Sequence, residues 1–374
     1  VMGQPETPEI RYVATPHSLD ELCELMATAH QRGLVVVPRG SGSKFGWLDL
    51  PPVIDVLLDM SAFSVCRFDR ESGEVTVGAG VAVAAVQDEL ARSGRRAPLD
   101  PPSLRATIGG TFVTAETGPL SHQFGPPAAH VVDATIALPD GTLSTVADTV
   151  QLLGSCVCDL RWAYPGHPNH ASVVAEIVLR TQALPDVQTW VTCPVSQPMH
   201  IADLLEQISE AGVAPAAIEL DLPGLRPGAA VPGQRIAAGT VSVLLEGSAA
   251  SVLDRRRGLE ASLVTTSHVS DLMPQWWGRY PFRAGDVAVR LNAPDGQLPL
   301  VSYALSDAAG MPVPVRGSLG SGPGWAALPG DLPHQRLMTI LDTVREVLLA
   351  RGGSAVVQAV PSELKEVLTP YRRP

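Results

Sequence analysis

The chain has 374 residues, 45% of them hydrophobic and 17% charged, with a formal net charge of −11. That length suffices for two domains with separate cores, and the composition excludes a disordered chain. The negative balance argues against nucleic acid or an anionic membrane surface as the main partner, while a local basic pocket could still take an anionic small molecule.

No apolar run approaches the roughly 20 residues that a membrane helix needs. The first residues, VMGQPETPEIRYVATP, lack the charged start and apolar stretch of a signal peptide. The expectation is a soluble, cytoplasmic protein. Five cysteines, Cys23, Cys66, Cys156, Cys158 and Cys193, are scattered and odd in number, which speaks against a disulfide framework. The Cys156-Val157-Cys158 pair would need His167 or His170 to make a metal site. Ordinary reduced thiols, behaving as small buried hydrophobes, are the expectation.

In chain order, Ser18 opens a predicted helix, with Glu21 three residues on as in a capping box. Leu19, Leu22, Leu25, Met26 and Ala29 follow at helical spacing, and Gly33 stops it. Leu34–Val37 reads as a short strand, and a first glycine-rich loop, VVVPRGSGSKFGW, runs from Val35 to Trp47. Val53–Leu58 and Glu74–Val77 read as strands, and VAVAAVQDELARSG as a helix ending near Gly94. A second glycine-rich loop, DPPSLRATIGGTFVTAETGP, spans Asp100 to Pro119. His130–Leu138 and Thr142–Val146 flank the turn signal Pro139-Asp140-Gly141.

Ala183–Asp186 marks a domain crossing. Beyond it, strands are expected at Val187–Cys193, Ala216–Leu220, Thr240–Glu246, Val287–Asn292, Leu300–Leu305 and Ser354–Val360. Helices are expected at His200–Ala211, Ser251–Val264 and Pro333–Arg351. Pro223–Gly239 and Val313–Gly330 read as loops. The chain carries no internal repeat.

Glycine lets the backbone take positive φ and approach a ligand closely, and consecutive N–H groups in such a bend form a concave donor site for phosphate oxygens. The first loop is not a Walker motif, because Lys44 does not follow G-x-x-x-x-G directly. Nor does it open a Rossmann helix, since Phe45, Trp47, Pro51 and Pro52 oppose one there. Two such loops in one domain suggest a diphosphate-bearing cofactor held between them.

Together the motifs P-R-G-S-G-S-K, A-T-I-G-G-T and the segment Asp133–Leu143 resemble the flavoprotein family of vanillyl-alcohol oxidase and p-cresol methylhydroxylase (PCMH). Within it the chain is most similar to the smaller FAD-binding subunit of bacterial glycolate oxidase. The likeness is strongest from about Val35 to Leu184. It implies an α+β fold: a two-subdomain PCMH-type FAD-binding domain over residues 1–185, then an α/β cap domain with an antiparallel sheet over 186–374. It also implies a set of cofactor-binding residues. Arg39, Gly40, Ser41, Gly42 and Ser43, flanked by Pro38 and Lys44, would present amides to the FAD diphosphate. Pro101, Thr107, Ile108, Gly109 and Gly110 would line the ribityl and flavin side. Ala115, Glu116, Gly118 and Ile177 fall where the family again runs close to the cofactor. Ser43 stands where relatives with a histidyl link carry His, so the FAD is expected to be non-covalent.

The chain departs from that pattern in three places. The family run G-S-x-G-T-L-G-x-I corresponds to Gly166–Val174 here, where Asn169 and Ser172 stand at positions of close backbone approach. Glu116 replaces a small or amide residue, and a carboxylate beside a diphosphate repels it unless it points away. The end, Leu368–Pro374, lacks the segment that returns to the flavin domain in relatives.

A 2-hydroxy acid needs a cation for its carboxylate, a base for its hydroxyl proton and a flavin to take the hydride. Arg279, Arg283 and Arg290 are candidate cations, Arg290 the best because it sits on a predicted strand. Solvation, or pairing with Asp286, is the plain alternative. His268 is the candidate base, against an ordinary surface histidine. Trp276 and Trp277 could roof the flavin or pack a core. No H-x-G-D-G-x-x-H run occurs, and no metal is expected.

The resemblance implies an FAD-binding subunit of a glycolate or D-2-hydroxy-acid dehydrogenase. It would relay two electrons from a small 2-hydroxy acid or an electron-donor subunit, beside a larger flavoprotein and an iron–sulfur subunit, in a complex peripheral to the inner membrane. Two alternatives stay open: a degenerate flavoprotein fold with a structural or assembly role and weak or no FAD binding, and a stand-alone oxidase of another alcohol.

Overall fold

The computed structural model describes residues 8–47, 50–145, 172–196, 199–224, 239–320 and 322–372. It separates into two units. One comprises the residues up to Gly118 with Gly125–Leu184; the other comprises Pro119–Phe124 with Pro185–Pro374.

In the first unit, β1 (Glu9–Ala14), α1 (Leu19–Gln31), β2 (Val36–Arg39) and β3 (Val53–Asp59) form a small α/β layer with strand order β1-β3-β2, all parallel. Central β3 is buried from Ile54 to Leu58, as a strand covered on both faces must be. The capping box forms with one shift. Ser18 Oγ accepts the Glu21 N–H at 3.2 Å, while the Glu21 carboxylate accepts the N–H of His17 rather than of Ser18, at 2.7 Å. Leu22, Met26 and Ala29 then face Val36, Val56 and Leu58.

A second layer follows in chain order: β4 (Cys66–Asp69), β5 (Glu74–Gly78), α2 (Val83–Ala91), β6 (Arg95–Arg96) and α3 (Ile108–Val113). After α4 (Ser121–Phe124), which belongs to the second unit, come β7 (Val131–Ala137), β8 (Leu143–Ser144), β9 (Val173–Arg180) and β10 (Gln182–Ala183). The main sheet is antiparallel with order β4-β5-β9-β7-β8, and β6 pairs β10. Val75, Val77, Ile136, Ile177 and Leu179 pack with Val86, Leu90 and Ile108 into its core. The Pro139-Asp140-Gly141 turn links β7 to β8, with Asp140 Oδ1 accepting both the amide and the hydroxyl of Thr142.

The second unit continues through β11 (Val187–Val195), α5 (Met199–Glu210), β12 (Ala217–Leu222), β13 (Gly239–Gly247), α6 (Ala249–Ser262) and β14 (His268–Ser270). Then come β15 (Asp286–Asn292), α7 (Leu298–Ala309), β16 (Val315–Ser318), β17 (Gly324–Pro329), α8 (His334–Leu349), β18 (Ser354–Ala359) and the short α9 (Lys365–Leu368). Its eight strands form one antiparallel sheet, β14-β11-β13-β12-β16-β17-β15-β18. Side chains alternate across a strand. Val191, Val243, Leu220, Val315 and Val289 therefore join the helices in one apolar core, and the neighbours between them face the other way. At the chain's end, Tyr371 is buried on this core and donates to Asp342 Oδ1 at 2.8 Å; burial, then the Asp342 carboxylate, pushes its hydroxyl up to about 12.

Two expectations are corrected. Leu300–Leu305 is not a strand but part of α7. Pro299 sits in its first turn and Gly310 ends it in the left-handed region. The burial of Leu298, Val301, Ser302, Leu305 and Ala309 has helical spacing, a pattern that the surrounding prolines and glycines disguise. Val313–Gly330 is not a loop but holds β16 and β17, short strands whose Gly317 and Gly324 face each other across the ladder. The expected loop at Pro223–Gly239 lies mostly outside the described residues. Cys23, Cys66 and Cys193 are free thiols, Cys193 buried and pushed up to about 11 by desolvation; Cys156 and Cys158 lie outside the described residues.

Helix α7 makes a test of the correction. Leu305 is buried and Tyr303 is 61% exposed, whereas on a strand both would share a face. Leu305→Ala should cost about 2–5 kcal/mol in denaturant unfolding. Tyr303→Ser should stay within about 0.5 kcal/mol.

Candidate functional site

The first glycine-rich bend leaves β2 where the parallel ladder ends, at the Arg39–Asp59 pair. The Arg39 guanidinium bonds Asp59 Oδ2 at 2.9 Å, and the Ser61 amide donates to Asp59 Oδ1 at 2.9 Å. Burial works against the Asp59 carboxylate, but the Ser61 amide and hydroxyl and the Arg39 cation outweigh it and hold its carboxyl below the usual range. The bend is thus fastened from below. Gly42 takes φ +73°, open to glycine at little cost. Beyond it a 3₁₀ turn, Phe45–Trp47, begins with the Phe45 N–H on the Gly42 carbonyl.

Between these fastenings lie the amides of Gly40, Ser41, Gly42 and Ser43. Among the described residues none of them meets an acceptor. These half-buried and exposed donors line the cleft, and they form the concave donor set that phosphate oxygens suit.

The second bend is built differently. Thr107 caps α3, its Oγ1 accepting the Gly110 N–H at 3.3 Å. The Ile108 and Gly109 amides are taken by the carbonyls of Val81 and Ala79. The amides of Ile108, Gly109 and Gly110 are therefore spent inside the protein. What the second bend supplies is proximity. A Cβ added at Gly40 would stand 2.9 Å from Thr107 Cγ2 and closer still to its hydroxyl.

Between the bends opens a cleft. Ten of the sequence-predicted residues line it: Pro38, Arg39, Gly40, Ser41, Gly42, Ser43, Lys44, Thr107, Gly109 and Gly110. Six do not. Ile108 and Ile177 are fully buried in the sheet core. Pro101 is half-buried on the approach to the bend. Ala115 takes φ +47° just past α3. Gly118 packs its α-carbon against the Asp100 backbone. Glu116 is buried and ion-paired with Lys44, its other oxygen accepting the Ser103 N–H at 2.9 Å. The repulsion expected of this carboxylate is relieved, because it points inward and meets a cation.

Eight further lining residues stand outside the assigned cofactor-binding set: Phe45, Met60, Ala79, Val113, Thr114, Ser172, Val173 and Val174. Ala79 had a signal, the run Val77-Gly78-Ala79-Gly80 directly after a strand. Val113 and Thr114 follow the second bend along α3. Of the run Gly166–Val174, only Ser172 to Val174 are described, and these three close one side of the cleft; the remainder, with His167 and His170, lies outside the described residues.

The catalytic candidates belong to the second unit, on the sheet face turned away from the helices. His268 opens edge strand β14 and is exposed. Arg290 is half-buried on β15, its Nε donating to Asn292 Oδ1 at 3.1 Å. Six strand spacings separate these strands, on the order of 25–30 Å, so the structure does not bring the two together. Asp286 accepts the backbone N–H of Arg283. Trp277 is buried edge-on to Trp190, with Trp276 beside it, so both tryptophans pack the core of their own unit. The same face carries a register row, His268, Thr192, Ser242, Glu219 and Ser318, polar across five strands. Beside it Arg316 bonds Asp221 at 2.7 Å and lies over Trp276; burial pushes the Asp221 carboxyl up despite that cation. Among the described residues no three His, Cys, Asp or Glu side chains converge as a metal site, and no helix is long and apolar enough to cross a membrane.

Comparison with known proteins agrees with this geometry. Residues 10–147 match the family model of the FAD binding domain. Mitochondrial D-lactate dehydrogenase (cytochrome) 1 of Saccharomyces cerevisiae is 24% identical over 214 residues, 56% of this chain and 36% of that protein. The Arabidopsis thaliana mitochondrial D-lactate dehydrogenase (cytochrome) is 25% identical over 209 residues, again 56% and 36%. The match thus spans about a third of each relative's length. Among solved structures, an alkyldihydroxyacetonephosphate synthase superposes with a TM-score of 0.69 at 16% identity, covering 96% of this chain and 74% of that one. A chitooligosaccharide oxidase gives 0.66 at 13%, covering 95% and 83%. The fold is the α+β, PCMH-type FAD-binding fold, and the cofactor is FAD. The residues present fit it: partnerless amides for a diphosphate, and a largely apolar cleft beside them.

Gly40→Ala tests the closeness of the bends. The new methyl must push Thr107 away, and FAD affinity measured by titration should fall about tenfold or more, a loss of roughly 1.4 kcal/mol. Combining it with Thr107→Ala, which removes the opposing atoms, should recover part of that loss.

Proposed function

We propose that the chain is the FAD-binding subunit of an oxidoreductase that takes a hydride from a small 2-hydroxy acid, of the glycolate or D-lactate type. The observation that carries this reading is the set of four free amides at Gly40–Ser43 beside the Thr107–Gly110 bend. The substrate class is supported by the D-lactate dehydrogenases among the relatives. The subunit role, with a larger flavoprotein and an iron–sulfur protein as partners in a complex peripheral to the inner membrane, follows the resemblance to the glycolate oxidase subunit.

Bound FAD supplies the two-electron acceptor. The chain's own residues bind and orient it. Gly40 to Ser43 hold the diphosphate by main-chain N–H groups. Gly109 and Gly110 leave room beside the bend. Met60, Ala79, Val113, Val173 and Val174 form an apolar wall that keeps water from the cofactor. Ser43 stands where relatives with a histidyl link carry His, and on that ground we propose non-covalent binding. Arg290 is the cation we assign to the substrate carboxylate.

The reading with weak or no FAD binding rested partly on Glu116. With Lys44 paired to that carboxylate, that part of the motive is gone, and the altered Gly166–Val174 run and the Leu368–Pro374 end remain as its grounds.

Purified protein, co-expressed with its neighbours, should show flavin bands at about 375 and 450 nm. Glycolate or D-lactate should bleach them under anaerobic conditions. Arg290→Met should raise KM for the hydroxy acid about tenfold or more while leaving FAD content unchanged. A colourless protein that gains no FAD on titration would sink the reading. Peroxide formed at the rate of substrate loss would favour the stand-alone oxidase instead.

A further inference from the structure

The cleft holds two cations, and each is already paired. Arg39 is bonded to Asp59 at 2.9 Å. Lys44 is paired with Glu116, both side chains almost wholly buried. The Lys44 ammonium lies beside the second bend, 3.9 Å from where a Cβ on Gly110 would stand. No other Lys, Arg or His lines the described cleft, so the formal charges of these two pairs sum to zero.

A diphosphate carries negative charge into a chain whose own balance is −11. Sites that meet such ligands with net positive charge gain affinity at low salt and lose it as salt screens the attraction. This cleft offers oriented dipoles instead, at Gly40 to Ser43. Glu116 is the residue that sets the difference. It is anchored by the Ser103 amide, cancels the Lys44 charge, and holds the ammonium at the second bend.

We propose that Glu116 is a positioning and charge-setting residue of the cofactor cleft. By neutralising Lys44 it makes recognition of the FAD diphosphate depend on main-chain amides and nearly independent of ionic strength. The proposal rests on the reading of this cleft as the FAD site.

The test is titration of FAD into flavin-free protein, followed by flavin fluorescence at 50 and 500 mM NaCl, with a thermal melt recorded for each variant. Wild-type Kd should change less than about threefold between the two salts. Glu116→Gln keeps the shape and the carbonyl acceptor but unmasks the Lys44 charge. It should bind about fivefold tighter at 50 mM NaCl and lose that gain at 500 mM. Lys44→Met combined with Glu116→Gln restores neutrality and should return Kd to within about threefold of wild type.

Wild-type binding that weakens more than about tenfold with salt would overturn the proposal, because a cation would then carry the contact. So would Glu116→Gln binding no tighter than wild type at low salt. A double variant that binds more than about tenfold worse would make Lys44 a direct ligand and reject the charge-setting role. Wild-type protein that takes up no FAD at either salt removes the underlying reading as well, so the two failures are told apart.

Discussion

Four consecutive main-chain amides without an internal acceptor are the feature on which the rest of this structure turns. A bend whose amides make no hydrogen bonds inside the chain must be held by other means. Here the means are visible. Parallel pairing carries β2 to its last residue on β3. The Arg39–Asp59 pair locks that residue. The 3₁₀ turn fixes the far end through Gly42. The intervening donors are thereby pre-aimed, and a diphosphate that lands on them need not reorganise the loop, which is where affinity is commonly lost.

The second bend contributes by being already satisfied. Its amides go to Val81, Ala79 and Thr107, so it is a rigid wall against which the first bend is set. Rigidity on one side and open donors on the other suit a ligand with a charged middle and a flat apolar end. The buried Lys44–Glu116 pair links the two bends. Removing one member of such a pair typically costs about 3–5 kcal/mol, because a lone charge stays buried. The pair therefore ties cofactor geometry to the stability of the domain that carries it.

Much of the first unit was legible from residue order, and for identifiable reasons. Helix α1 announced itself through Ser18, Glu21 and the spacing of Leu22, Met26 and Ala29. The Pro139-Asp140-Gly141 turn placed the β7–β8 hairpin. The first glycine-rich loop pointed to the donor set, since only a glycine-rich stretch passes so near Thr107. Less legible was what depends on distant partners. Glu116 read as a liability because its cation lies 72 positions away in sequence (Lys44). Met60 carries no local mark of lining a cleft; it does so because β3 ends beside it. In the second unit the errors share a cause. Prolines and glycines around Leu298 and through Val313–Gly330 read as breaks, whereas Pro299 starts a helix and Gly317 and Gly324 let two strands approach closely.

The eight-stranded sheet constrains the chemistry on the substrate side more than any single residue does. A small hydroxy acid spans only a few ångströms between carboxylate and hydroxyl, so its cation and its base must be neighbours. Arg290 and His268 sit on strands six places apart, which no twist of a sheet brings together around one such molecule. Choosing Arg290 therefore excludes His268 as its partner. It directs the search to the groups that share its end of the sheet: Asn292, which accepts from it, Trp325, opposite it on β17, and the stacked pair Tyr280 and Phe282, which meets that tryptophan edge-on and tilted. None of these is an ordinary general base at neutral pH.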